Sequence, residues 1–158
     1  ESTINPNRQE VGGIGYGLVG WTPVDVLINA CNVLGLSPYT DGNNQLIVID
    51  AQILGKSGLN TWYSTEAFIR PYYNSGATTD MIGITGQQFK ENSMNWLPDK
   101  LAVLFMVCYE RPSYDPEVNH WNRRMESANK WFEYITGHPP KPREETNKLP
   151  IWAYCRLF

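Results

Sequence analysis

Residues 11–20, VGGIGYGLVG, hold five glycines. Glycine density of this kind permits positive φ and close backbone approach, which suits a hairpin or a cleft-lining loop. A helix start follows at once in Trp21-Thr22-Pro23-Val24-Asp25. Thr22 is a good N-cap, Pro23 a good first helical residue, and Asp25 suits the positive helix end. Val24, Leu27, Ile28 and Cys31 then recur at helical spacing, and Gly35 is a natural stop.

Further along, helical signals dominate. Residues 44–54 carry Leu46, Ile47, Ile49, Ile53 and Leu54. This predicts a second helix, although the run QLIVID alone also reads as a strand. A short helix is expected over 59–68 and a polar, tyrosine-containing loop over 71–84. Thr85 and Gln88 have the spacing of a capping box that starts a short helix through Asn92. Pro98-Asp99 opens another helix, with Leu101, Leu104, Phe105 and Cys108 on one face and Pro112 as its stop. Asp115-Pro116 opens the longest, in which Val118, Trp121, Met125, Ala128, Trp131 and Ile135 step by three and four until Gly137. Trp121, Met125 and Trp131 are expected in the core. The fold class is therefore mainly α, a helical bundle with a small Gly-rich hairpin or loop. Residues 1–137 read as one domain that lacks its N-terminal helices. Residues 138–158 read as a Pro-rich linker and an apolar tail leading to a further module.

Composition narrows the chemistry. Aromatic residues make up 13% of the 158 residues and charged ones 18%, below the roughly 25% of an average soluble domain. A net charge of −3 leaves no footprint for nucleic acid. No apolar run is long enough for a bilayer, so no membrane contact is expected from this segment. Cys31 and Cys108 fall in apolar helical stretches and read as buried thiols, and Cys155 as incidental. His120 and His138 supply no ligand pair, so neither a metal nor another cofactor is expected. The glycines do not fit a phosphate loop, and no nucleophile elbow is present. Carboxylates remain as the reactive groups.

Glu1-Ser2-Thr3-Ile4-Asn5-Pro6, Gly15-Tyr16-Gly17-Leu18-Val19-Gly20-Trp21-Thr22 and Tyr109-Glu110-Arg111-Pro112 occur in that order. This ordered set resembles the phage tail-tip lysozymes of the lysozyme and lytic transglycosylase superfamily. That family shows a Glu-Ser pair at a helix end, a G-x-G-L-x-Q-W-T segment and a helix ending in Y/F-E-R-P. The resemblance covers most of residues 1–136. It implies an α+β lysozyme-like fold and cleavage of the β-1,4 link between N-acetylmuramic acid and N-acetylglucosamine in peptidoglycan. Such cleavage needs a protonated carboxyl group at the leaving oxygen, its pKa raised by apolar or aromatic walls.

Glu1 is the general acid that the resemblance implies, and Glu10 is the best positional candidate for a second carboxylate. Ser2, Tyr16, Gly20, Trp21, Thr22, Tyr72, Tyr73 and Tyr109 are the expected substrate-binding set, with Tyr109 in the cleft floor. Trp62, Tyr63, Tyr72 and Tyr73 stay open between core edge and sugar platform. Glu110 and Arg111 are expected to form a structural ion pair. Gly20 stands where the family has Gln, so the side-chain amide that would position substrate is replaced by backbone alone. Two readings follow. One is a peptidoglycan glycosidase domain of a wall-penetrating protein facing the cell envelope, in a phage tail tip or a Gram-positive conjugation machine, with a peptidase as a further domain of the same polypeptide. The other is a degenerate lysozyme-like domain that binds peptidoglycan or acts as a scaffold.

Overall fold

The computed structural model describes residues 5–9 and 15–140. Glu1, Ser2, Glu10, Cys155 and the expected apolar tail lie outside the described residues. The chain divides into two compact units, Glu1–Thr61 and Trp62–Phe158.

In the first unit the glycine-rich segment turns back on itself. The Tyr16 N–H donates to the Trp21 carbonyl at 3.1 Å, and the Trp21 N–H returns the bond at 2.9 Å. Gly17 and Gly20 sit at φ 80° and 66°, the left-handed conformation for which only glycine carries no Cβ penalty. Tyr16 also bridges to Gln9 on its other side. Thr22 does not cap the next helix. Its hydroxyl donates back to the Gly20 carbonyl at 3.1 Å, which closes the turn. Helix α1 (Asp25–Leu34) consequently starts two residues after the expected Pro23 and has no side-chain cap. It buries Leu27, Ala30 and Cys31 and stops at Gly35 with φ 67°.

Helix α2 (Gly42–Leu54) settles the ambiguity of QLIVID in favour of a helix. Asp41 is its N-cap, accepting from the Asn43 and Asn44 amides, and Gly55 closes it. Its inward face carries Gln45, Val48 and Gln52, a helical spacing that an apolar-only reading overlooks. Gln45 is fully buried. Its amide nitrogen donates to the Pro6 carbonyl at 2.7 Å and the Tyr39 carbonyl at 2.9 Å. Its oxygen accepts from the Leu18 N–H at 2.9 Å. Two turns along, the Gln52 oxygen accepts from the Trp21 indole at 3.3 Å. These two glutamines hold the hairpin over a core of Trp21, Leu27, Ala30, Cys31 and Val48.

The second unit opens with extended backbone where a helix over 59–68 was expected. The Tyr63 N–H donates to the Cys108 carbonyl at 2.9 Å, and the Ser64 carbonyl accepts from Gly83 at 2.7 Å. These bonds hold the segment straight, so helix α3 is confined to Glu66–Ile69. The expected loop over 71–84 contains two 3-10 turns, Arg70–Ser75 and Thr79–Met81. Helix α4 (Gly86–Glu91) starts with the anticipated capping box, both of its bonds present. Helix α5 (Pro98–Phe105) continues as a π-helical turn, Met106–Glu110, whose first four residues are buried.

The single long helix expected from Asp115 is broken. Helix α6 (Pro116–Asn119) ends at His120, which takes φ 54°, and helix α7 runs from Trp121 to Thr136. Asn119 explains the break. It is 1% exposed, its amide donates to Ser75 Oγ and the Ser113 carbonyl, each at 3.2 Å, and its oxygen accepts from the Trp121 N–H at 3.0 Å. A side chain held this way fixes the backbone into a corner. Helix α7 packs on α5. The corner changes which face is covered: Trp121 is buried, but Trp131 is 51% exposed and is not core. Trp131 instead meets Tyr134 edge-on at the surface, ring centroids 5.7 Å apart.

Removal of the Gln45 amide leaves a buried N–H and two carbonyls without partners, each costing about 1–3 kcal/mol. Gln45→Leu is expected to lower stability by about 3 kcal/mol or more in urea unfolding. Gly76 sits at φ 101°, and a Cβ there would stand 3.0 Å from the Trp121 indole. Gly76→Ala is expected to cost about 1–3 kcal/mol and to perturb tryptophan fluorescence.

Candidate functional site

The described part of the second unit holds an open groove of about 460 Å³ built around the Tyr-Glu-Arg-Pro segment. Phe68 and Tyr72 line it from α3 and the following 3-10 turn, and Glu110 through Tyr114 line it from the end of the π turn. π-helical turns are single insertions that recur at functional sites. Here the turn ends at Arg111, which takes φ 53° and donates its N–H to the Met106 carbonyl at 2.7 Å.

That left-handed residue separates the two charges. The Arg111 guanidinium lies over the Tyr63 ring, 4.6 Å from its centroid, and Tyr63 in turn stacks on Phe68 at 4.8 Å. Such a cation–π contact contributes about 0.5–2 kcal/mol and fixes a flexible arginine. The Glu110 carboxylate meets Arg124 at 2.5 Å. The ion pair expected between Glu110 and Arg111 is thus made by Glu110 with a residue of α7 instead. Both members are partly shielded, with side-chain exposures of 18% for Glu110 and 38% for Arg124.

Tyr72 forms the back wall. Its hydroxyl donates to the Pro112 carbonyl at 2.6 Å, and its ring meets Tyr114 edge-on at 4.9 Å. Burial pushes the Tyr72 phenol up to about 12. The Ser75 hydroxyl donates to the Tyr114 carbonyl, which ties this loop to the 3-10 turn beneath it. Phe68 and Tyr114 stay exposed at the rim. The groove therefore combines apolar ring surface with one cation and one carboxylate, a lining suited to an amphipathic ligand that both stacks and hydrogen-bonds.

The remaining predicted positions fall as follows. Tyr16 is half-buried; its hydroxyl donates to Asn7 Oδ1 at 2.8 Å and its ring lies 5.7 Å from Tyr39. Burial and the neighbouring Tyr39 raise its pKa. Gly20 contributes backbone to the hairpin turn, Thr22 is exposed beside it, and Trp21 is buried in the core. Tyr73 is half-buried and does not line the groove. Tyr109 is 4% exposed with its ring stacked on Phe105 and does not line the groove, so it is core rather than cleft floor. Trp62 is likewise core, its indole donating to the Ile84 carbonyl at 2.7 Å. Sequence reasoning missed Phe68, Tyr114 and Arg124. Tyr114 lies two residues beyond the recognised motif, and nothing local marks Arg124 as the partner of a glutamate fourteen residues earlier. Among the described residues, no group of three or more His, Cys, Asp or Glu stands together, and no helix is long and apolar enough to cross a membrane.

Burial holds two acidic protons that an unfolded chain releases. Tyr72 rises from 10.0 to about 12, and Cys108 from 9.0 to about 12. Both groups favour the folded state fully below their unfolded values, and that contribution is lost as pH rises towards 12. Urea midpoints are expected to fall between pH 9 and 12, and Tyr72→Phe is expected to flatten the upper part of that fall.

The model of the phage tail lysozyme family matches residues 1–135. No solved structure matches the chain. The match takes in the Glu-Ser start, the glycine-rich hairpin and the Tyr-Glu-Arg-Pro groove, and the chain belongs to the phage tail lysozyme family.

Proposed function

We propose that this domain cleaves the glycan strands of peptidoglycan as part of a wall-penetrating phage tail or conjugation protein, facing the cell envelope. The observation that carries this reading is the family match over residues 1–135, which spans all three motifs. Glu1 is the general acid in this reading, donating its proton to the leaving glycosidic oxygen, and Glu10 is the candidate second carboxylate. Ser2, Tyr16, Gly20 and Thr22 would contribute to substrate binding from the first unit, with Trp21 as the buried support of the hairpin. In the second unit the open ring faces of Phe68 and Tyr114 are suited to stacking on a sugar, with Arg111 and Glu110 as hydrogen-bonding groups. Tyr72 acts in this reading as the wall that shapes the groove. A further domain of the same polypeptide, such as a peptidoglycan peptidase, fits the Pro-rich segment after Gly137.

A second reading rests on Gly20. The family's Gln is replaced by a residue at φ 66°, a conformation glycine favours and a side chain makes costly. In that case the domain binds peptidoglycan without turning it over.

Purified peptidoglycan, incubated with the protein in its native polypeptide and analysed by mass spectrometry, separates the two. Released disaccharide, with Glu1→Gln lowering the rate by about 10²-fold or more, supports cleavage. A free reducing end indicates hydrolysis, and a non-reducing anhydro end, lighter by one water, indicates intramolecular attack. Retention on insoluble peptidoglycan with no product, beside an active control, selects the binding reading. In either case Tyr114→Ala is expected to weaken retention about threefold to tenfold while leaving the urea midpoint nearly unchanged.

A further inference from the structure

A second concavity, about 340 Å³, lies between α5 and α7. Ala102 and Phe105 of α5 line it, together with His120, Arg123, Arg124 and Ser127. Its chemistry is one-sided: one histidine, two arginines and a hydroxyl, with no acid among the lining residues. Arg124 is committed in part, through Nε to the Asn119 carbonyl at 3.0 Å and through a terminal nitrogen to Glu110. Arg123 is exposed and has no carboxylate partner among the described residues. The corner held by the buried Asn119 sets His120 immediately before α7, so the histidine and both arginines lie within one helical turn. Against a chain charge of −3, a pocket with two guanidinium groups and one compensating carboxylate is a local reversal of sign.

We infer that this pocket is a phosphate-binding site. Guanidinium forks recognise oxyanions through paired hydrogen bonds. The open fork of Arg123, the remaining guanidinium donors of Arg124, an imidazole and a hydroxyl around one concavity offer more donors than the two oxygens of a carboxylate take up, and suit the acceptor-rich tetrahedral oxyanion of phosphate. The ligand is either a free phosphate or the phosphodiester of a wall polymer. The wall source rests on the function proposed above, but the site itself does not.

Inorganic phosphate titrated into the 158-residue chain, followed by arginine and histidine side-chain NMR, tests the site without any lytic assay. Saturable binding is expected, weakened about tenfold by Arg123→Gln and also weakened by His120→Asn, which keeps a residue tolerant of positive φ. Lys130→Gln, on α7 but outside the pocket, is expected to leave it unchanged. Absence of saturation, or equal weakening by Lys130→Gln, overturns the site. A peptide bearing free carboxylates that binds as tightly as phosphate overturns the phosphate assignment. A glycerol phosphate oligomer that binds more tightly than inorganic phosphate assigns the phosphodiester source, and one that binds no more tightly assigns free phosphate. Loss of peptidoglycan cleavage with phosphate binding intact would count against the proposed function alone, and the reverse pattern against this site alone.

Discussion

A glutamine side chain carries an acceptor and two donors, and burying it unpartnered is costly. Gln45 turns that cost into architecture. Its amide meets three backbone groups, at Pro6, Leu18 and Tyr39, and the Leu18 N–H is satisfied only when the hairpin lies against α2. Apolar contacts are tolerant of sliding, but an amide with directional bonds is not. The glycine-rich segment, which has little apolar surface of its own, thereby acquires a defined position. Gly17 is part of the same arrangement, because a Cβ there would stand 2.7 Å from the Gln45 oxygen.

The second unit uses the same device differently. Asn119 is buried and bonds to Ser75, Ser113 and the N-terminus of α7, so one amide both ends α6 and joins it to the 3-10 turn under the groove. The π turn after α5 supplies the other constraint. It brings Glu110 towards Arg124 and turns Arg111 towards Tyr63, so neighbouring residues of one motif serve different partners. The groove and the cationic pocket share Arg124 through this arrangement, one by ion pair and the other by lining.

Most of the helical scaffold was legible because it depends on local signals. The Thr85–Gln88 capping box, the Pro98 start and the Gly35 and Gly137 stops act within four residues of their effects. The mainly helical class and the family followed from those signals and from three ordered motifs. What stayed hidden depends on contacts distant in sequence. Thr22 has the composition of an N-cap yet closes the preceding turn, and the periodicity through Val118 and Trp131 conceals a corner set by an asparagine reaching Ser75. The candidate groove was half legible. Tyr72 was singled out as a substrate-side residue, Glu110 and Arg111 only as a structural pair, while Phe68 and Tyr114 carry no motif, and the aromatic surplus did not distinguish buried rings from open ones.

Among the described residues each unit contains one buried free thiol, Cys31 in α1 and Cys108 in the π turn. Burial raises both pKa values and so suppresses the reactive thiolate. Labelling at either site in native buffer therefore requires the structure around it to open. With Cys155 replaced by serine, the two thiols become separate clocks, one per unit. Their relative labelling rates would report whether the hairpin unit breathes independently of the groove unit or opens with it in a single cooperative event.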